Sequence, residues 1–175
     1  INMLRTTTEY MSAIIGGSNT VCSEAYDSIY HKKNEFGERI ARNQLLILRE
    51  ESYFNATNNP AKGSYYIEYL TKQLSEKALV LFKNIEASGG FLNQLKKGVI
   101  QKKIKETASK EQDLFNLGKL ILLGTNIHQN TEDQMKDNLE LYPFSKSNPR
   151  KTLIEPILER RLSELNEEER LKKEN

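Results

Sequence analysis

Residues 4–22 read LRTTTEYMSAIIGGSNTVC, and this stretch decides the fold class. Leu4, Met11, Ile14 and Ile15 recur at helical spacing, so a helix is expected up to Ile15. Gly16-Gly17 then supplies a stop, because glycine accepts the left-handed conformation that ends helices. Asn19-Thr20-Val21-Cys22 follows as a short β-prone run. The same order recurs further on. Ile100, Ile104, Ala108 and Phe115 mark one face of a helix, Gly118 closes it, and Leu120-Ile121-Leu122-Leu123 is wholly apolar, the pattern of a strand buried on both faces. Helix, glycine, strand argues α/β rather than a helical bundle. Two strands cannot close a sheet, so neighbours carried elsewhere are expected.

Between these landmarks the chain is helical. Asn34 is a good N-cap for a helix reaching about Tyr53, with Phe36, Ile40, Ile47 and Leu48 as its apolar stripe. Residues 55–63, rich in Asn with Pro60 and Gly63, read as a loop. Ser64 opens the clearest helix, where Ile67, Leu70, Leu74, Ala78, Leu81 and Ile85 recur every three or four residues until Gly89-Gly90. A short turn of helix from Phe91 leads into the Ile100 helix. Residues 128–150 lose all apolar periodicity and are expected as an irregular excursion, and residues 151–175 as a charged linker helix running into a solvated tail.

Composition narrows the function. With 175 residues, 26 Lys+Arg against 24 Asp+Glu and a formal charge of +2, the chain suits one ordinary domain without a global field for nucleic acid or membranes. That length falls short of the roughly 200–250 residues of a closed (β/α)₈ barrel. No apolar run approaches the roughly 20 residues of a membrane span. One cysteine excludes an internal disulfide framework and points to the cytoplasm, and one cysteine with two histidines makes a structural zinc site a poor reading. Because Ile1-Asn2-Met3 opens without an initiator methionine, a fragment or processed chain is expected.

Candidate chemistry is sparse. Cys22 ends an expected strand, where α/β enzymes place reactive groups, although cysteine more often serves as a small buried hydrophobe. His128 follows the second strand with no carboxylate motif beside it, and His31, in Tyr30-His31-Lys32-Lys33, reads as solvated and without a role. No Gly-rich phosphate cradle is present. Lys96, Lys97, Lys102, Lys103, Lys105 and Lys110 make a basic helix face that an interaction module would use, but no aromatics interleave to stack bases. The residues alone supply no catalytic constellation and no metal ligands.

Several strings, taken in order, resemble methylmalonyl-CoA mutase in the later part of its substrate-binding barrel domain. They are Asn2-Met3-Leu4-Arg5-Thr6-Thr7-Thr8-Glu9, Met11-Ser12-Ala13-Ile14-Ile15-Gly16-Gly17, Tyr26-Asp27, and Glu38-Arg39-Ile40-Ala41-Arg42-Asn43. Glu50-Glu51-Ser52 follows, then Asn59-Pro60-Ala61-Lys62-Gly63-Ser64-Tyr65-Tyr66-Ile67-Glu68. Ile85-Glu86-Ala87-Ser88-Gly89-Gly90 and Leu123-Gly124-Thr125-Asn126 complete the set. Each is weak alone; their collinearity over residues 1–127 is not.

The resemblance implies the C-terminal portion of a (β/α)₈ TIM barrel over residues 1–127, mostly helical with two or three short parallel strands, plus a C-terminal linker helix. It implies an isomerase that interconverts methylmalonyl-CoA and succinyl-CoA by a radical route with adenosylcobalamin. Many bacterial members pair a catalytic large subunit with a homologous small subunit lacking a working site. The departures point to the small subunit. Val21-Cys22-Ser23-Glu24 stands where catalytic chains read Leu-His-Thr-Asn, and Arg42-Asn43-Gln44-Leu45 where they read Arg-Asn-Thr-Gln. Asn59-Pro60-Ala61-Lys62 has lost the acid of the family loop and gained a cation. Neither histidine lies in the family's Asp-x-His-x-x-Gly cobalt motif, so no cofactor is expected bound to this chain. Glu68 matches a position near the cofactor face and is the one cofactor-binding candidate. The expected partners are the catalytic large subunit and, through exposed apolar faces, further copies of this chain. The alternatives are the barrel segment of a catalytic acyl-CoA mutase whose cobalamin domain has been removed, and a helical interaction module with a basic face.

Overall fold

A computed structural model describes residues 1–145 and 152–174. It is mostly helical with almost no strand. The helices are α1 (Asn2–Ile15), α2 (Glu35–Leu46), α3 (Tyr65–Ala87), α4 (Phe91–Lys96), α5 (Val99–Asn116) and α6 (Glu164–Glu174). The chain divides into two compact units: Ile1–Thr71 with Asp137–Pro143, and Lys72–Lys136 with Phe144–Asn175.

In the first unit α1 tolerates a threonine run because the hydroxyls turn back onto their own helix. Thr6, Thr7, Thr8 and Ser12 each donate to a carbonyl three or four residues earlier. The helix ends at Gly17, whose φ of +82° lets Ser18 N donate to Ala13 O at 3.1 Å and Gly17 N to Ile14 O at 3.0 Å. Gly118 closes α5 in the same way. Asn34 caps α2, accepting from Gly37 N at 2.7 Å, and Glu35 and Glu38 complement the positive end of the helix. α2 widens into a π turn, Ile47–Glu51, short of the expected Tyr53. α1 and α2 pack together, burying Tyr10, Ala41 and Leu48, the last only 2% exposed.

In the second unit α4 packs on α5, Phe115 (2% exposed) and Phe144 form the apolar centre, and two glutamines stitch it together. Gln94 Nε2 donates to Ser88 O at 2.5 Å; Gln101 Nε2 donates to Leu95 O and Glu155 O at 3.0 and 3.1 Å.

The expected parallel strands are not formed among the described residues. Residues 19–22 carry no strand, and the Leu120–Leu123 run contributes only an isolated bridge from Leu123 to Ile127. A strand needs a neighbour for its alternating N–H and C=O groups, and none is supplied here. At residues 120–122 one side chain takes the neighbour's part: Asn126 donates to Leu120 O at 2.7 Å and accepts from Leu122 N at 2.8 Å. Ile121 remains 61% exposed rather than buried.

The expected terminal helix also differs. Residues 152–163 are not helical, since Pro156 lacks an N–H and pushes Glu155 away from helical dihedrals. This stretch lies along α5, with Glu155 paired to Lys105 and Arg160 to Glu111 at 3.8 Å. The expectations for residues 146–151 and 175 lie outside the described residues. α6 begins only at Glu164 and is fastened at both ends. Glu164 accepts from Ser145 N and Arg161 N, Glu174 from Met135 N and Lys136 N at 2.8 and 2.9 Å, and Arg170 pairs with Asp133. No helix among the described residues is long and apolar enough to cross a membrane.

The apolar stripe of α3 is helical but uncovered. No residue of α3 is buried; Leu74 is 68% and Phe82 59% exposed.

Candidate functional site

Two features of the first unit hold its polar side chains. The first is a knot between the Tyr26–Tyr30 turn region and the start of α2. Asp27 is buried, and its Oδ2 accepts from Asn34 Nδ2 at 3.0 Å and faces His31 Nδ1 at 2.9 Å. The remaining oxygen, Oδ1, has no hydrogen-bond partner among the described residues and lies against the backbone of Gly37. A Cβ at residue 37 would stand 2.8 Å from Oδ1 and 3.0 Å from Ala25 Cβ, so glycine permits this approach. Burial disfavours the Asp27 carboxylate, but the hydrogen bonds from His31 and Asn34 outweigh it and hold the carboxyl below its ordinary range. The hydrogen bond to Asp27 raises the His31 pKa against a smaller opposing effect of burial.

The other ring nitrogen, His31 Nε2, lies 2.7 Å from the carbonyl oxygen of Asn138. His31 is therefore half-buried and doubly bonded, where the sequence pointed to a solvated residue without a role. The Asp27/His31 spacing of four with Asn34 beyond it was the available local signal; Asn138 is 107 residues distant and could not be read.

The second feature is an open cleft of about 570 Å³, lined by Ile14, Val21, Arg49, Phe54, Asn55 and Asn58 among others. Cys22, beside Val21, is exposed and free, not the small buried hydrophobe of the ordinary reading. Leu45 is half-buried on α2, and the loop carrying Asn59 and Lys62 is exposed. Glu68 sits in the first turn of α3, where its Oε1 accepts from Gly63 N at 2.9 Å and ties the loop to the helix. His128 is exposed in a turn at φ +53°. On the basic face of α5, Lys105 engages Glu155 and Lys102 lies 4.0 Å from Glu106. No group of three or more potential metal ligands occurs among the described residues.

The methylmalonyl-CoA mutase family model matches residues 1–173. This chain belongs to the methylmalonyl-CoA mutase family. It is 39% identical over 141 residues to the methylmalonyl-CoA mutase small subunit of Porphyromonas gingivalis, covering 81% of this chain and 23% of that protein. It is 34% identical over 140 residues to the methylmalonyl-CoA mutase of Escherichia coli, covering 80% of this chain and 20% of that protein. Against the mitochondrial methylmalonyl-CoA mutase of Homo sapiens identity is 30% over 156 residues, covering 89% of this chain and 20% of that protein. The chain thus spans about a fifth of the length of these relatives.

Within this mutase family the donor set of the described residues does not suit the cobalt of a corrinoid. Both ring nitrogens of His31 face acceptors, which leaves no lone pair for a metal, and His128 stands exposed with no positioning carboxylate bonded to it. Cys22, Leu45 and Lys62 are not joined to one another by any hydrogen bond or ion pair among the described residues.

Proposed function

We propose that this chain is part of the small, non-catalytic subunit of a methylmalonyl-CoA mutase, whose work is to dock against and stabilise a homologous catalytic large subunit in the cytoplasm. The observation that supports the reading is the exposed free thiol at Cys22, at the position where the resemblance gives catalytic chains an imidazole. A thiol cannot supply the hydrogen bonds of a histidine, and a closed radical site tolerates no unmatched polar group, each costing roughly 1–3 kcal/mol. Leu45 in place of an amide and Lys62 beside a lost acid add to the mismatch.

In this reading the helices are the later units of a (β/α)₈ barrel. The bare apolar side of α3 and the runs at residues 19–22 and 120–123, which build no sheet among the described residues, fit elements made to meet neighbours. Adenosylcobalamin belongs to the assembled mutase and would be held by its partner. Glu68 would survive from the cofactor-facing side, here serving to hold the loop at Gly63.

The test is reconstitution. The protein that carries this chain, purified alone with adenosylcobalamin and methylmalonyl-CoA, is expected to form no succinyl-CoA and to co-purify with a catalytic subunit when the two are co-expressed. Turnover by the protein alone overturns the proposal.

A further inference from the structure

His31 stands between two acceptors. Its Nδ1 lies 2.9 Å from Asp27 Oδ2 and its Nε2 2.7 Å from the Asn138 carbonyl oxygen. Neither an ionised carboxylate nor a carbonyl has a proton to give, so both nitrogens must donate, and an imidazole that donates twice is the cation. A neutral ring has one N–H and leaves one acceptor facing a lone pair.

The same place joins two segments far apart in the chain. Tyr30 O accepts from Glu140 N at 3.0 Å and Leu141 N at 2.9 Å, and Lys32 N donates to Glu140 Oε2 at 2.8 Å. Among these contacts the ring is the group that changes protonation near neutral pH. The charges bearing on it are Asp27 from its own turn and Glu140 from the opposite segment, both anionic. α2 presents the amide of Asn34 and the backbone of Gly37 there, while Glu38 turns to Lys33 at 3.7 Å.

We propose that His31 is a proton-operated clasp: its imidazolium seats residues 137–143 against the rest of the first unit, and loss of one proton releases Asn138 and loosens that segment. The direction follows from the geometry. The folded protein prefers the cation, so the clasp is fully closed below the ordinary histidine pKa of about 6.5 and opens as pH rises through the higher folded value. Glu140 and Leu141 keep their bonds to the Tyr30 carbonyl, so the segment loosens rather than departs.

The experiment uses the intact protein with ¹⁵N-histidine labelling. The His31 signals are assigned by their loss in His31→Gln and followed from about pH 6 to about pH 9, with hydrogen–deuterium exchange of residues 137–143 read in parallel. Both ring nitrogens are expected to carry protons at the acid end. Protection, corrected for intrinsic exchange, is expected to fall with the ring's titration, by roughly ten-fold for each pH unit between its folded and unfolded midpoints. In His31→Gln the protection should be lower and flat with pH. Protection in the wild type that ignores the ring's titration, or a ring carrying one proton at the acid end, overturns the proposal.

Discussion

Gln44 on α2 donates its side-chain amide to the carbonyl oxygen of Met3 on α1 at 2.6 Å. The same nitrogen lies 2.8 Å from Thr6 Oγ1 and 2.9 Å from Thr7 Oγ1, so one buried amide meets three acceptors along the face of α1. The pair of helices is thus held by a polar pin beside the small apolar contact of Tyr10, Ala41 and Leu48.

Removing that pin takes the Gln44 donor away from three half-buried acceptors on α1. Gln44→Leu, which keeps the volume and deletes the amide, is expected to destabilise the protein by about 1–3 kcal/mol in urea unfolding. Gln44→Glu should cost more at neutral pH, because a carboxylate there would face the Met3 carbonyl. A midpoint unchanged in both variants would show that the contact carries no net stability.

What the sequence made legible was local. The Asn34 cap, the Gly17 and Gly118 closures and the periodicity of α3 each depend on residues within a turn or two of one another, and each formed. What failed was pairing. Leu120-Ile121-Leu122-Leu123 has the composition of a buried strand, yet composition cannot provide the neighbour, and Asn126 answers Leu120 and Leu122 instead. His31 was passed over for the same reason, since half of its surroundings arrive from Asn138. The cleft residues are separate in sequence, and no local pattern joined them.

Acid should unfasten α6. Burial disfavours the carboxylates of both Glu164 and Glu174. For Glu164 this is outweighed by hydrogen bonds from Ser145 and Arg161, and for Glu174 by those from Lys136, Met135 and Arg170, so both pKa values are lowered. Groups with depressed folded pKa values stabilise the fold above the ordinary carboxylate range of about 4.3 and stop doing so as pH falls through the folded value. Exchange protection of the Met135, Lys136 and Ser145 amides is therefore expected to be high at neutral pH and to be lost as pH falls below the ordinary carboxylate range and through the lowered folded values. In Glu174→Gln, whose side chain has no carboxylate to titrate, the Met135 and Lys136 amides should lose that acid transition. Persistence of the transition in this variant would assign it to another group.

The exposed side chains of α3 lead to a statement about association. Tyr65, Tyr66, Tyr69, Leu74, Val80, Leu81 and Phe82 are all exposed along one 23-residue helix, far more apolar surface than an isolated soluble chain ordinarily leaves bare. Burying such side chains gains about 25 cal/mol per Å², which favours self-association whenever no other partner is present. Size-exclusion chromatography with light scattering on these 175 residues is expected to report more than one chain per particle. The double variant Leu74→Glu, Leu81→Glu places charges on that surface without disturbing a buried contact and should shift the particles toward single chains. A wild-type mass of one chain would mean that the bare helix is tolerated in water, and the view that this face is made to meet a neighbour would lose its physical basis.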